Sequence, residues 1–215
     1  WSPDSQWLAY AKSGDNGMKQ IKVWSLETNN VTAITDPFAD SFSPAWDLDH
    51  KHLYFLASTS VALGSGWANY AAYVINLAKK DASPFKPKSD EEKVKEEKLD
   101  DKKDDKKKDA KKKTTNKKVL IDFEGIERRI MALPLRGNYN SIIAGPSGFA
   151  FISEGATVHK FDLKKLKAKE FGKGLRIYAI SADGKHMVAR AGRNWKVTST
   201  SAPNAKAAKT LKLDL

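Results

Sequence analysis

With 215 residues, 40% of them hydrophobic and six of them Trp, the chain carries enough apolar material for one large or two small domains with a real core. Cysteine is absent, which excludes a disulfide framework, a thiol nucleophile and a thiolate metal site. No apolar run reaches the roughly 18 residues that cross a bilayer, and the net charge of +12 raises the question of an anionic partner.

The chain opens on the polar turn Ser2-Pro3-Asp4-Ser5 behind Trp1 and passes into Trp7-Leu8-Ala9-Tyr10-Ala11. There Trp7, Ala9 and Ala11 point one way while Leu8 and Tyr10 point the other, so both faces of this predicted strand must be covered. A polar loop at 13–17, a strand from Ile21 to Leu26, a turn at 27–30 and a strand from Val31 to Thr35 complete a unit. The unit then begins again. Trp46 answers Trp1, Asp49 answers Asp4 and Leu53-Tyr54-Phe55 answers Leu8-Ala9-Tyr10, an offset of 45 residues, and a weaker copy follows at Ile180-Ser181-Ala182-Asp183-Gly184. A period of about 40 to 45 residues, with strands apolar on both faces, predicts an all-β fold of four-stranded antiparallel blades packed face to face in a β-propeller.

The second unit runs from Phe42 and Trp46 through Leu53 to Leu56, crosses a loop that carries Trp67 in a Gly-Ser-Gly-Trp setting, and reaches Ala72 to Leu77. Residues 86–118 break the pattern. They hold 15 Lys and 10 Asp or Glu with no aromatic residue, too little apolar surface to offset the entropy of ordering, and read as a disordered charged insertion. Strand patterning resumes with Val119-Leu120-Ile121-Asp122-Phe123 and with Ile126 to Pro134, then with an inner hairpin from Tyr139 to Ile152 and a strand from Thr157 to Asp162. The last blade starts at Ile177, and the basic tail from Ser199 ends in a final strand or linker near Leu211. The organisation is therefore blades over 1–85, the insertion over 86–118 and further blades over 119–215, about four in all and short of a closed ring. A start inside a repeat, without Met, reads as a piece of a longer protein.

Trp1 to Tyr10 resembles the blade signature of TolB-type and peptidase-associated propellers. A longer stretch resembles the propeller region of bacterial tricorn-type serine peptidases: Ser83-Pro84-Phe85, the charged insertion, then Ile121-Asp122-Phe123-Glu124-Gly125-Ile126-Glu127-Arg128-Arg129-Ile130-Met131-Ala132-Leu133-Pro134, with a second Arg before Ile130, and then Gly137-Asn138-Tyr139. The resemblance implies a cytoplasmic, oligomeric enzyme that joins propellers to a PDZ domain and a Ser-His catalytic domain, with the propeller as a path for peptides. The alternative it leaves is a TolB-like protein-interaction propeller, periplasmic and without peptidase activity. None of the matching residues is catalytic in that family.

The residues agree in offering no catalytic constellation. No Gly-x-Ser-x-Gly elbow occurs, and Gly145-Pro146-Ser147-Gly148 and Gly64-Ser65-Gly66 sit where turns are needed. His50-Lys51-His52 beside Asp47 and Asp49 has the composition of a metal site, yet it occupies the turn that Ser5 and Gly184 occupy in the other copies, so no metal and no cofactor is expected. The candidate peptide contacts are Trp67, Arg128 and Arg129; a strand through the last two points them to opposite faces, so at most one can clamp a peptide carboxylate, and a structural salt bridge is the favoured alternative. The insertion accounts for +5 of the charge, but its lysines alternate with acids and lack stacking aromatics, which argues against nucleic acid as the partner.

Overall fold

A computed structural model describes residues 1–58, 69–85, 118–202 and 209–211. It is all-β, with fifteen strands and one 3₁₀ turn among the described residues and no helix long and apolar enough to cross a membrane. The strands form four antiparallel meanders in chain order. The first is β1 (Trp7–Ser13), β2 (Lys19–Ser25) and β3 (Val31–Ala33). The second is β4 (Ser41–Trp46), β5 (His52–Ser58), β6 (Tyr70–Asn76) and β7 (Ile130–Ala132). The third is β8 (Ser141–Ala144), β9 (Phe149–Glu154), β10 (Thr157–Asp162) and β11 (Lys167–Lys173). The fourth is β12 (Leu175–Ile180), β13 (His186–Ala191), β14 (Asn194–Ser199) and β15 (Lys209–Leu211).

The alternation of the central strands explains the stacking. Along β5, Leu53, Phe55 and Ala57 enter the core against Ile21 and Val23 of the first sheet, while Tyr54 and Leu56 enter the next core against Ile142, Ala150 and Ile152 of the third. Along β9, Ala150 and Ile152 face the second sheet, and Phe151 turns to Ile177, Met187 and Ala189 of the fourth. The second and third sheets are thus apolar on both sides and sandwiched, as a propeller blade requires, while the first and fourth each bury one face. Leu53, Leu56, Tyr54 and Ile152 are wholly buried, each contributing on the order of 2 kcal/mol of transfer free energy.

The repeat is visible in its hydrogen bonds. Ser2 N–H donates to the Trp7 carbonyl, Asp47 N–H to that of His52, Gly145 N–H to that of Phe149 and Ser181 N–H to that of His186, all at 2.8–3.0 Å. The residue that closes each turn lies at positive φ: Ser5 at 59°, His50 at 65°, Gly148 at 75° and Gly184 at 69°. Gly184 pays no steric cost there, and a side chain at this position would also press on Pro146 at 3.2 Å. The first sheet has three strands because β1 is the counterpart of β5, not of β4.

Two expectations change. Residues 119–123 form no strand; Val119, Ile121 and Phe123 pack on the first core, with the Phe123 ring edge-on to Trp7 at 5.8 Å. Arg128 and Arg129 belong to a 3₁₀ turn, Ile126–Arg129, entered through Gly125 at φ 64°, so strand alternation does not set their directions. Of the charged insertion, only Lys118 falls within the described residues.

Candidate functional site

Because the second, third and fourth sheets are four-stranded meanders, in each the first strand starts, the second ends and the third starts at the same end of the stack. Two recesses open at this end. One, of about 380 Å³, lies between the second and third sheets and is lined by Phe42, Tyr70, Asn138, Tyr139, Asn140 and Gly155. The other, of about 510 Å³, lies between the third and fourth sheets. Asn140, Ser141, Ser153 and Gly155 form its wall on one side, and Arg176, Tyr178 and Arg190 its wall on the other. Asn140 and Gly155 line both, so the recesses adjoin along the rim of the third sheet and flank it as the two halves of a trough.

The trough differs in character along its length. At the second-sheet end the Phe42 and Tyr70 rings meet edge to face at 4.9 Å, and the Tyr70 hydroxyl donates to Asp40 Oδ2 at 3.1 Å. Asp40 also accepts the Lys19 backbone N–H at 2.9 Å. Burial, and then the bond to Asp40, raise the Tyr70 pKa above its ordinary value of 10.0. In the middle, Glu154 accepts the Asn138 N–H at 3.3 Å and lies 3.6 Å from His159 Nε2.

The fourth-sheet end is cationic for a reason of register. Near the Asp183-Gly184 turn, Ile180 faces Met187 and Ala179 faces Val188; a bulge at Tyr178 then shifts the pairing by one, bringing Arg176 directly opposite Arg190. Without the bulge Arg176 would face Ala191. Both arginines are exposed and alternate with Ile177 and Ala189, which are buried in the third core. The Arg176 guanidinium sits 5.2 Å from the Tyr178 ring centroid, and Tyr178 in turn lies 4.6 Å from Trp195, the partner of Arg190 on β14. No carboxylate among the described residues pairs with either arginine.

The residues singled out from sequence are dispersed relative to this trough. Trp67 lies outside the described residues. Arg128 is 87% exposed, with its Nε 3.9 Å from Glu127 Oε1. Arg129 is half-buried and, among the described residues, donates only to main-chain carbonyls: Asn76 at 3.0 Å, Glu124 at 3.2 Å, Leu77 at 3.4 Å, Gly125 at 3.5 Å and Asp122. Both stand near Asn76 and Leu77, past the far end of β6 from Tyr70. The turn with His50 and His52 is also at that far end; His52 Nδ1 bonds to Asp47 Oδ2 at 2.9 Å. No group of three metal-binding side chains exists among the described residues. Sequence reasoning missed Arg176 and Arg190, and the available signal was their placement on either side of the Asp183-Gly184 turn.

Comparison with known proteins gives three kinds of likeness. Residues 1–201 match the family model described as the tricorn protease second beta propeller domain. The chain is 27% identical over 218 residues to tricorn protease homolog 1 of Streptomyces coelicolor, an alignment that covers 87% of this chain and 19% of that protein. Its fold matches the crystal structure of the tricorn protease with a TM-score of 0.66 at 20% identity, covering 98% of this chain and 21% of the other. It also matches TolB from Acinetobacter baumannii with a TM-score of 0.57 at 11% identity, covering 99% of this chain and 43% of that one. The chain therefore spans about a fifth of the length of its tricorn-type relatives.

Proposed function

The chain belongs to the family of tricorn protease second β-propeller domains, and from that premise we propose that it is the non-catalytic propeller of a larger cytoplasmic serine peptidase. In this reading it guides or gates peptides toward a catalytic domain outside these 215 residues, within a polypeptide that also carries a PDZ domain and assembles into an oligomer. The observation that carries it is the trough at one end of the sheets, open to solvent and spanning three of them. A trough of this form suits an extended chain better than a compact ligand, because its walls are supplied by successive repeats.

Peptide contact then falls to the residues of the trough, with Trp67 and the exposed Arg128 as additional contacts. Arg129 is committed to carbonyls and supports the turn. The test is the dependence of hydrolysis rate on peptide length in the full-length protein. Arg190→Ala, Trp67→Ala and Arg128→Ala are each expected to slow long peptides and spare the shortest ones. An equal loss at every length would reduce the propeller to a support for the catalytic domain. The isolated chain should resist labelling by a serine-directed phosphonate, and a labelled Ser anywhere in it would place catalysis here instead.

A further inference from the structure

We propose that the recess between the second and third sheets binds a protonated amine carried by a peptide, with Asp40 and Glu154 supplying the opposite charge and Phe42, Tyr70 and Tyr139 an aromatic wall. The inference rests on the peptide reading above and adds the chemistry of what is held.

Strand alternation aims these groups into one gap. Tyr70, Ala72 and Val74 share the face of β6 that meets the third sheet, and Ala150, Ile152 and Glu154 share the face of β9 that meets the second. Both sheets are packed on either side, so the gap is internal to the stack. Asp40 is drawn to it by the Tyr70 hydroxyl at 3.1 Å, and Glu154 by the Asn138 N–H at 3.3 Å, while Asn138 Oδ1 accepts the Tyr70 N–H at 3.0 Å. These donors are neutral and leave both carboxylates charged beside the recess. Burial first, and then the adjacent carboxylate, raise the pKa of Tyr70 beside Asp40 and of Tyr139 beside Glu154, so the field of the acids reaches both phenols. Of the described basic side chains, His159 Nε2 lies 3.6 Å from Glu154, and the Lys19 ammonium stands 5.8 Å from the Phe42 ring centroid without an ion pair to Asp40. Residues 59–69, which join β5 to β6 at this rim, contain no Lys or Arg. An ammonium in the recess gains twice, from the face of an aromatic ring and from a charge-assisted hydrogen bond to a carboxylate. The volume of about 380 Å³ admits the apolar stem that carries it.

A protonated amine on a peptide comes from the chain terminus or from a Lys side chain, and three peptides separate the two. They are Ala-Ala-Phe amide with a free terminus, its acetylated form, and acetyl-Lys-Ala-Phe amide. Each is titrated calorimetrically into the full-length protein after treatment with the serine-directed phosphonate, so that none is cleaved. One or both amines are expected to bind about tenfold more tightly than the neutral peptide, the worth of one charge-assisted pair, with the gap closing as salt rises. Asp40→Asn and Glu154→Gln keep the shape of each side chain and remove its charge; each should narrow the gap, and together they should abolish it. Thermal melts check folding, and Glu154→Gln, at a side chain 43% exposed, carries the test if Asp40→Asn does not fold. A gap that survives the charge removal would place the amine elsewhere and overturn the site. Equal binding of all three peptides would overturn the amine preference and leave peptide contact standing. Complete displacement of an amine peptide by equimolar calcium would overturn it in favour of a metal site. Failure of all three to bind would remove peptide contact at this recess, and the inference with it. A protein that the phosphonate does not label would count against the peptidase reading alone, since the peptides then stay whole and the same titrations decide the site.

Discussion

Two places in the molecule use arginine in opposite ways. At the base of the insertion, Arg129 spends its guanidinium on five carbonyls from both stems, and Asp4 of the first sheet holds the returning stem by accepting the Val119 N–H at 2.7 Å. On the fourth sheet, Arg176 and Arg190 face one another with no acid of the described residues paired to either. The difference is one of satisfaction. A charged donor surrounded by carbonyls stabilises a junction, whereas one left unpaired at an open rim is available to something else.

The largest expected effect lies on the satisfied side. Arg129→Ala should cost about 2 kcal/mol in urea unfolding, since it withdraws a charged donor from several carbonyls at once. Arg129→Lys should recover less than half, because an ammonium cannot reproduce the fork. An effect within a few tenths of a kcal/mol would erase the contrast between the two regions.

Next comes Asp4. Burial works to raise its pKa, but the Ser2 hydroxyl and the N–H groups of Val119 and Gln6 outweigh burial and hold it below the ordinary 3.8. A carboxyl depressed in the folded state contributes stability that is present above its unfolded value and lost as pH falls through the folded one. Asp4→Asn should therefore cost about 1 kcal/mol at neutral pH and flatten the decline in melting temperature below about pH 4. An unchanged acid limb would show that other carboxyls govern it.

On the unsatisfied side the sign reverses. Arg190→Ala should raise stability by a few tenths and at most about 1 kcal/mol, the cost of like charges across a strand pair. A fall of that size in chemical denaturation would mean that its stem packs on Trp195 to greater benefit than the repulsion costs. The smallest effect belongs to replacing residues 86–117 with a short Gly-Ser linker, expected to move stability by less than about 0.5 kcal/mol because the stems are already tied. A large loss would place contacts of the insertion on the blades.

The repeat, the two-faced strands and the polar turns were legible because a strand apolar on both sides, as at Leu53-Tyr54-Phe55-Leu56, admits few other arrangements. Less legible was β11, whose Lys-Ala-Lys-Glu-Phe-Gly-Lys is mostly exposed and held by its ladder to β10 more than by a core. Residues 119–123 mimic a strand because one-sided packing imposes the same alternation as pairing does. The trough was legible only in part: Arg176 and Arg190 stand on either side of a turn in the sequence, but a single bulge decides whether Arg176 meets Arg190 or Ala191. Arg128 and Arg129 drew notice as neighbours in sequence, although Gly125 turns the chain so that one is exposed and the other half-buried against main-chain carbonyls.

The Arg129 junction has a mechanical consequence. A force pulling on the returning stem meets the Val119–Asp4 bond and then the junction at Asp122, Asn76 and Leu77, where several hydrogen bonds to one rigid planar group share the load together. Peeling a strand from a sheet instead breaks its ladder one bond at a time, at lower force. The guanidinium therefore acts as a strain relief between a tethered segment and β6, so that tugging on the former does not unzip the latter.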